Sequence, residues 1–157
     1  MIQRLWQCGL GVLLLLCAWQ SYAQQVVYPI NQYCNVHVLS ISSAKTASHN
    51  KKPETGWKNV QLPDVWDDRW KNYNGGAWYK IEWEWFCERD HRLNQPIVFA
   101  LNFLNSAGAV YLNQDLLWAS QHLEEPLSKN WNMPRYWILP ISGLKQGKNQ
   151  ILVYVNG

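Results

Sequence analysis

Strict alternation of apolar and polar side chains is the sequence feature that most limits how this chain can fold. Residues 79–86 alternate in this way, with the apolar set at Tyr79, Ile81, Trp83 and Trp85. A period of two places one set of side chains on each face of a β-strand. The segment therefore predicts an antiparallel strand with one face in the core and one face in solvent.

Short runs with strand character recur along the rest of the chain. After residue 23 no segment keeps the apolar spacing of three and four that an amphipathic helix requires. Two runs, 97–103 and 150–155, are apolar on both faces, as central strands of a sandwich are. Together these runs predict an all-β, antiparallel β-sandwich of the jelly-roll type. The predicted strands are residues 36–41, 57–62, 79–86, 97–103, 109–112, 116–120, 136–139 and 150–155.

The segments between these runs carry turn and loop signals. Residues 40–53 are polar and contain lysines, which indicates a surface connection. Asn113 and Gln114 lie between two apolar runs at the spacing of a β-hairpin. Glycine would adopt positive φ more easily than Gln114 in such a turn.

The first 23 residues resemble a secretory signal peptide. A short basic start ending at Arg4 precedes a leucine-rich run, and Ser21 and Ala23, on either side of Tyr22, are small residues at the two positions that a signal peptidase recognises. Cleavage after Ala23 is the expectation, with an uncleaved anchor or a lipoprotein as the alternatives. The run is shorter than the ~20 residues that span a bilayer. We therefore expect a periplasmic or secreted protein, tethered to the membrane if a longer chain provides an anchor.

The remaining residues suit one domain, built from an N-terminal part with one or more strands and a polar connection at 24–56, and a sandwich at 57–157. The chain carries 14 Lys and Arg against 11 Asp and Glu, a formal net charge of +3. Such a balance lacks the strongly basic character of a nucleic-acid-binding domain. No nucleic-acid partner is expected.

Two of the four cysteines, Cys34 and Cys87, lie outside the predicted signal peptide. A disulfide between them would close a loop of about 50 residues and could contribute ~4 kcal/mol to stability. Two separately buried thiols are the alternative. The oxidising compartment that export implies favours the bridge.

Residues for catalysis or metal binding form no recognisable constellation. Asp64, Asp67 and Asp68 are clustered, but the sequence does not show two carboxyls facing each other across a substrate. The four histidines are isolated, without the spacing of paired metal ligands. We expect neither a complete active site within this chain, nor a metal, nor a cofactor.

Binding is better supported, because residues 57–79 combine four tryptophans and two tyrosines with aspartates and an arginine. Aromatic rings hold the apolar faces of a polar ligand such as a sugar, and planar polar groups fix its orientation. Residues 131–135 repeat the combination near the other end of the chain. Loop packing is the alternative for these rings, and an Asp64–Arg69 salt bridge is the simplest role for that pair. The candidate ligand-binding residues are Trp66, Arg69, Trp70, Tyr73, Trp131, Asn132 and Arg135.

Several of these segments, in this order, carry a family resemblance. Residues 57–64 read WKNVQLPD, residues 75–80 read GGAWYK, and residues 110–113 read VYLN. Residues 125–135, EPLSKNWNMPR, complete the pattern. The chain resembles galactose-binding-like jelly-roll domains, and most closely the extracytoplasmic input domains of bacterial histidine kinases and diguanylate cyclases. It is also similar to the sugar-binding domains of glycoside hydrolase family 2.

The resemblance implies that some of the residues named above belong to the scaffold rather than to a ligand site. These scaffold residues are Trp57, Pro63, Asp64, Trp78, Tyr79 and Asn113. Lys80 and Gln114 depart from the arginine and glycine that the pattern usually has.

Three hypotheses about function follow. The first is a ligand-sensing module whose membrane-embedded and cytoplasmic signalling domains, a kinase or a cyclase, lie outside a chain truncated at its C-terminal end. The second is a sugar-binding accessory domain of a family 2 glycoside hydrolase. The third is a structural or protein-interaction sandwich without a small ligand. A carbohydrate or another small polar molecule is the expected ligand in the first two.

Overall fold

Antiparallel β-strands form almost all of the regular structure in the part of the chain that the structure describes. The computed structural model describes residues 34–88, 95–129, 131 and 133–157, so the predicted signal peptide lies outside the described residues. The elements are strands β1 (Cys34–Thr46), β2 (Lys58–Asn59), β3 (Gly76–Cys87), β4 (Val98–Leu101), β5 (Ala107–Leu112), β6 (Asp115–Ala119), β7 (Arg135–Ile138) and β8 (Gly147–Asn156), one helical turn α1 (Trp66–Arg69) and a 3₁₀ turn (Ile141–Gly143). No helix among these residues is long and apolar enough to cross a membrane.

The strands form two sheets that pack face to face. The larger sheet has the order β2-β1-β3-β8-β5-β6, and the smaller one consists of β4 and β7. Phe99 of β4 and Trp137 of β7 point inward and pack against the core of the larger sheet. This is an antiparallel β-sandwich, as the alternating pattern predicts.

Strand β3 shows how the sequence pattern produces the core. Tyr79, Ile81 and Trp83 are buried between the sheets, and Trp85 packs at the margin of the same cluster. Trp78 points to the opposite face, where it packs with Tyr154 and is 2 % exposed. The larger sheet therefore buries apolar side chains on both faces near its centre.

The two runs that are apolar on both faces have different outcomes. Strand β8 lies between β3 and β5 and is buried from Ile151 to Val155, which confirms its prediction as a central strand. Among the described residues strand β4 pairs only with β7, so the prediction of a central strand at 97–103 is wrong. Its outward positions, like those of its partner, are apolar but exposed: Val98, Ala100, Tyr136 and Ile138.

Strand β1 is longer than the sequence indicates. It continues to Thr46, into the polar segment predicted as a surface connection, and buries Ser42 and Ser43. In contrast, the strand predicted at 57–62 is reduced to the two residues of β2. At the start of β1, Cys34 lies directly opposite Cys87 of β3, and the two are joined by a disulfide bond.

In the hairpin between β5 and β6, Asn113 is the residue that adopts a positive φ. Asn113 has a φ of 56° and takes the left-handed conformation, which asparagine tolerates better than most residues. Its side-chain amide donates to the carbonyl oxygen of Gly143 (2.7 Å), and its side-chain oxygen accepts from the backbone N–H of Gln150 (3.1 Å). The turn therefore needs no glycine at Gln114.

Candidate functional site

A cleft of about 800 Å³ opens at one end of the sandwich, between the segments 62–67 and 102–105. Ile81 of β3 and Val153 of β8 line it from the sheet. Three apolar side chains around it are about half exposed: Leu62 at 48 %, Val65 at 56 % and Phe103 at 59 %. The cleft therefore combines an apolar interior with solvent access, as small-molecule sites do.

One wall of the cleft is fixed by a bidentate ion pair. Arg69 Nε donates to Asp64 Oδ1 (2.9 Å), and Arg69 Nη2 donates to Asp64 Oδ2. The Asp64 side chain is only 7 % exposed and that of Arg69 is 20 % exposed. The structure thus forms the salt bridge that the sequence indicates for this pair.

Two aromatic side chains extend this ion pair into a chain of hydrogen bonds. The Tyr79 hydroxyl donates to Asp64 Oδ2 (2.6 Å) and accepts from the indole Nε1–H of Trp66 (2.6 Å). A buried carboxylate with every oxygen hydrogen-bonded is well placed to hold a loop in one conformation. The network joins the helical turn α1 to strand β3, so it positions the wall of the cleft.

The network shifts the ionisation of its members in opposite directions. Burial alone raises the pKa of the Asp64 carboxyl, but the hydrogen bonds from Arg69 and Tyr79 and the positive charge of Arg69 outweigh burial and lower the pKa overall. Burial, and then the hydrogen bond to the Asp64 carboxylate, raise the pKa of Tyr79 to about 12. Asp64 is therefore held as the anion and Tyr79 as the neutral phenol across the physiological range.

Substituting Tyr79 with phenylalanine tests this network. The pKa of the Tyr79 hydroxyl is higher in the folded than in the unfolded protein. Its hydrogen bonds therefore stabilise the fold fully at pH values below the unfolded pKa, and this stabilisation is lost as the pH rises through the folded pKa. The wild type should therefore lose stability between about pH 10 and about pH 12, and Tyr79→Phe should reduce that loss. At neutral pH the variant should be about 1.5 kcal/mol less stable, since a hydrogen bond to a charged group is removed.

Urea unfolding followed from neutral to alkaline pH measures both effects. Some alkaline loss should remain in Tyr79→Phe, because burial also raises the pKa of Tyr73 and of Tyr154. Tyr136→Phe is the matched control, since Tyr136 is 73 % exposed. If the free energy of unfolding fell equally with rising pH in Tyr79→Phe and in the wild type, the loss of stability would not come from ionisation of Tyr79.

The remaining rings of the aromatic segment pack on one another and on the protein's own cations. The centroids of Trp66, Trp70 and Tyr73 lie 5.5–5.7 Å apart. The Arg69 guanidinium lies 4.0 Å from the centroid of Trp70, and Lys45 Nζ lies 4.2 Å from that of Tyr73. These cations occupy ring faces that a sugar would need for stacking. Trp66 and Tyr73 also line the cleft, whereas Trp70 and Arg69 do not.

The candidate ligand residues near the other end of the chain lie apart from this group. Trp131 is 59 % exposed, and its indole N–H donates to the Ser106 hydroxyl (3.2 Å), next to the cleft segment 102–105. The Arg135 guanidinium lies over the Trp118 ring, 4.4 Å from the centroid. Neither is among the described residues that line the cleft, and Asn132 lies outside the described residues.

Of the residues predicted as scaffold, Trp57 contacts neighbouring segments, whereas Pro63, Asp64 and Tyr79 line the cleft. The Trp57 indole donates to the carbonyl oxygen of Pro53 (2.9 Å), and the Lys80 ammonium lies 5.0 Å from a Trp57 ring. Pro63 follows a cis peptide bond at the start of the cleft wall.

Within the described parts of the chain, no group of three His, Cys, Asp or Glu side chains is arranged to hold a metal ion.

Sequence reasoning missed the opposite wall of the cleft. Asn102, Phe103 and Asn105 line it from the segment after β4. The sequence places an aromatic side chain between two amides there, NFLN at residues 102–105, and residues 131–135 likewise combine an aromatic ring with an amide. The apolar pattern of 97–103 predicts a strand that includes Asn102 and Phe103, and a strand position does not indicate a binding loop.

Comparison with known proteins rests on the fold. No protein-family model matches the chain, and no match is found among curated proteins. Among solved structures, a β-glucuronidase from Ruminococcus gnavus superposes with a TM-score of 0.58 at 17 % identity, and one from Faecalibacterium prausnitzii with 0.57 at 16 %. The match covers 83 % of this chain but only 23 % and 22 % of theirs. The chain shares the fold of part of these enzymes.

A further R. gnavus β-glucuronidase structure, in complex with D-glucuronic acid, gives a TM-score of 0.56 at 18 % identity. Because this chain spans less than a quarter of the length of these enzymes, the similarity concerns a sandwich portion of them. At 16–18 % identity the similarity shows the fold. The structures named above are all β-glucuronidases.

Proposed function

We propose that this chain is an exported accessory β-sandwich of a family 2 type glycoside hydrolase, with a carbohydrate-binding cleft and no catalysis of its own. The observation that carries the proposal is the match of 83 % of the chain to less than a quarter of two bacterial β-glucuronidases. Fold alone does not assign an activity, so the hydrolytic activity of those enzymes is not transferred to this chain.

The cleft provides the chemistry that sugar binding requires. Sugars present apolar C–H faces edged with hydroxyl groups, and they bind where apolar side chains alternate with planar hydrogen-bonding groups. Phe103 supplies an exposed ring, and Asn102 and Asn105 supply amides beside it. The Asp64–Arg69 pair then has a supporting role, because it fixes the facing wall.

The disulfide supports the exported location. Bonds between cysteines persist in oxidising compartments such as the bacterial periplasm and the cell exterior, and they are rare in the reducing cytosol. Cys34 and Cys87 are joined in this way.

Two experiments test the proposed function. Sequencing the gene beyond codon 157 should reveal a βα-repeat with paired glutamates, whereas membrane helices followed by a kinase or cyclase would overturn the hydrolase proposal in favour of a sensor. The purified chain should hydrolyse none of a panel of p-nitrophenyl glycosides. Turnover that survives repurification would contradict a purely accessory role.

A further inference from the structure

The polar groups that line the cleft lack a positive charge. Among the described residues that line it, no lysine, arginine or histidine occurs, while two aspartates, Asp64 and Asp67, do. The polar groups beside them are the amides of Asn74, Asn102 and Asn105 and tyrosine hydroxyls. A site built for an anionic sugar would need a cation, and arginine is the usual choice.

The two aspartates differ in how far they are neutralised. Arg69 compensates Asp64, whose carboxylate accepts hydrogen bonds from Arg69 and from the Tyr79 hydroxyl. Asp67 is exposed and takes part in no ion pair among the residues that the structure describes; its Oδ1 accepts only from the backbone N–H of Asn72 (3.2 Å). Asp67 therefore leaves one uncompensated negative charge at the cleft.

Lys71, four residues after Asp67, is exposed and does not line the cleft. Two further cations, Arg69 and Lys45, are engaged by other groups. Arg69 is occupied by Asp64 and lies over the Trp70 ring. Lys45 lies over the Tyr73 ring and lines a second, smaller depression with Thr46 and Tyr154. Neither side chain lines the cleft itself.

From this distribution of charge we infer that the cleft selects neutral sugars and disfavours uronic acids. The inference rests on the proposed carbohydrate-binding function and specifies its ligand class. Hydroxyl groups of a neutral sugar can donate to the free Oδ2 of Asp67, whereas a carboxylate at the same place is repelled.

A pair of ligands that differ only at carbon 6 tests this selectivity. Methyl β-D-glucopyranoside carries a neutral CH₂OH group there, and methyl β-D-glucuronide carries a carboxylate. Each is titrated into the purified chain and followed by NMR at the Trp66 indole N–H, which donates to Tyr79 beside the cleft. At about 10 mM ionic strength, where the Debye length is about 30 Å, the glucoside should bind at least about fivefold more tightly.

Charge variants identify the group responsible. Asp67→Asn should bring the two affinities within about twofold, as should about 1 M salt with its Debye length of about 3 Å. Asp68→Asn is the matched control, because it changes the net charge equally at the neighbouring exposed position but does not line the cleft. Because screening is weak at about 10 mM ionic strength, Asp68→Asn should change the ratio, but by clearly less than Asp67→Asn does. Phe103→Ala should weaken both ligands alike, by about fivefold, through loss of ring contact.

Three results would overturn the inference. These are tighter or equal binding of the glucuronide, an unchanged ratio in Asp67→Asn, or an equal change in Asp68→Asn. Failure of both sugars to bind would show that the cleft is not a sugar site. The gene sequence beyond codon 157 would still decide independently whether the chain is part of a hydrolase.

Discussion

Replacing Asp64 with alanine is expected to lower the free energy of unfolding by about 3 kcal/mol, because it leaves the Arg69 charge without its partner in a mostly buried position. The Tyr79 hydroxyl loses its acceptor at the same time. Urea unfolding at neutral pH measures the difference. Asp64→Ala should also reduce the loss of stability in acid. Because the pKa of Asp64 is lower in the folded protein, its carboxylate stabilises the fold above the unfolded pKa of about 4, and this stabilisation is lost as the pH falls through the folded pKa.

Asp68→Ala provides the matched control. Asp68 lies on the helical turn that carries Arg69 and is exposed, so its removal should change stability by less than about 0.5 kcal/mol. A second variant separates charge from packing: Asp64→Leu combined with Arg69→Met removes both charges and should recover part of the loss. Equal stability of Asp64→Ala and Asp68→Ala would show that the ion pair does not hold the cleft wall.

Loss of the Cys34–Cys87 disulfide is expected to be still more costly. The two cysteines are 53 residues apart, and releasing a loop of that length gives the unfolded chain an entropy gain worth about 4 kcal/mol. The double variant Cys34→Ser, Cys87→Ser should show this loss in urea unfolding. Wild type unfolded with dithiothreitol present should match the variant.

The double variant also serves as the control for the reductant. Dithiothreitol should change the stability of the wild type and leave that of the variant unaffected. If the oxidised wild type and the variant unfold at the same urea concentration, the bond contributes nothing. The pairing of β1 with β3 would then hold this end of the sandwich unaided.

Periodicity predicted the fold where burial follows the alternation of side chains. It succeeded at β3 and β8 because each has a strand on both sides in the larger sheet. It failed at 97–103, where Val98 and Ala100 are apolar yet face outward from a two-stranded sheet. The polar segment 40–53 was predicted to be exposed, but Ser42 and Ser43 are buried within β1. Composition alone carries no information about which strands become neighbours.

The candidate site was predictable only in part, for a related reason. The Asp64–Arg69 pair is local in sequence, and the pattern indicated it. The contacts of Trp66 with Tyr79 and of Arg69 with Ser43 span 13 and 26 residues, so they depend on how the strands pair. The wall formed by Phe103 also becomes part of a site only when the two sheets pack. Whether the selected residues contact a ligand stays a prediction.

Strand β3 is fixed at two distant points by bonds of unlike chemistry. Cys87 is covalently tied to Cys34, and Tyr79, eight residues earlier and hence about 27 Å away along the strand, is tied to the Asp64–Arg69 pair. Thiols weaken the first attachment, and extremes of pH weaken the second. An environment that is reducing but neutral should therefore loosen the cysteine end while the cleft keeps its shape, and hydrogen exchange along β3 would record which end opens first.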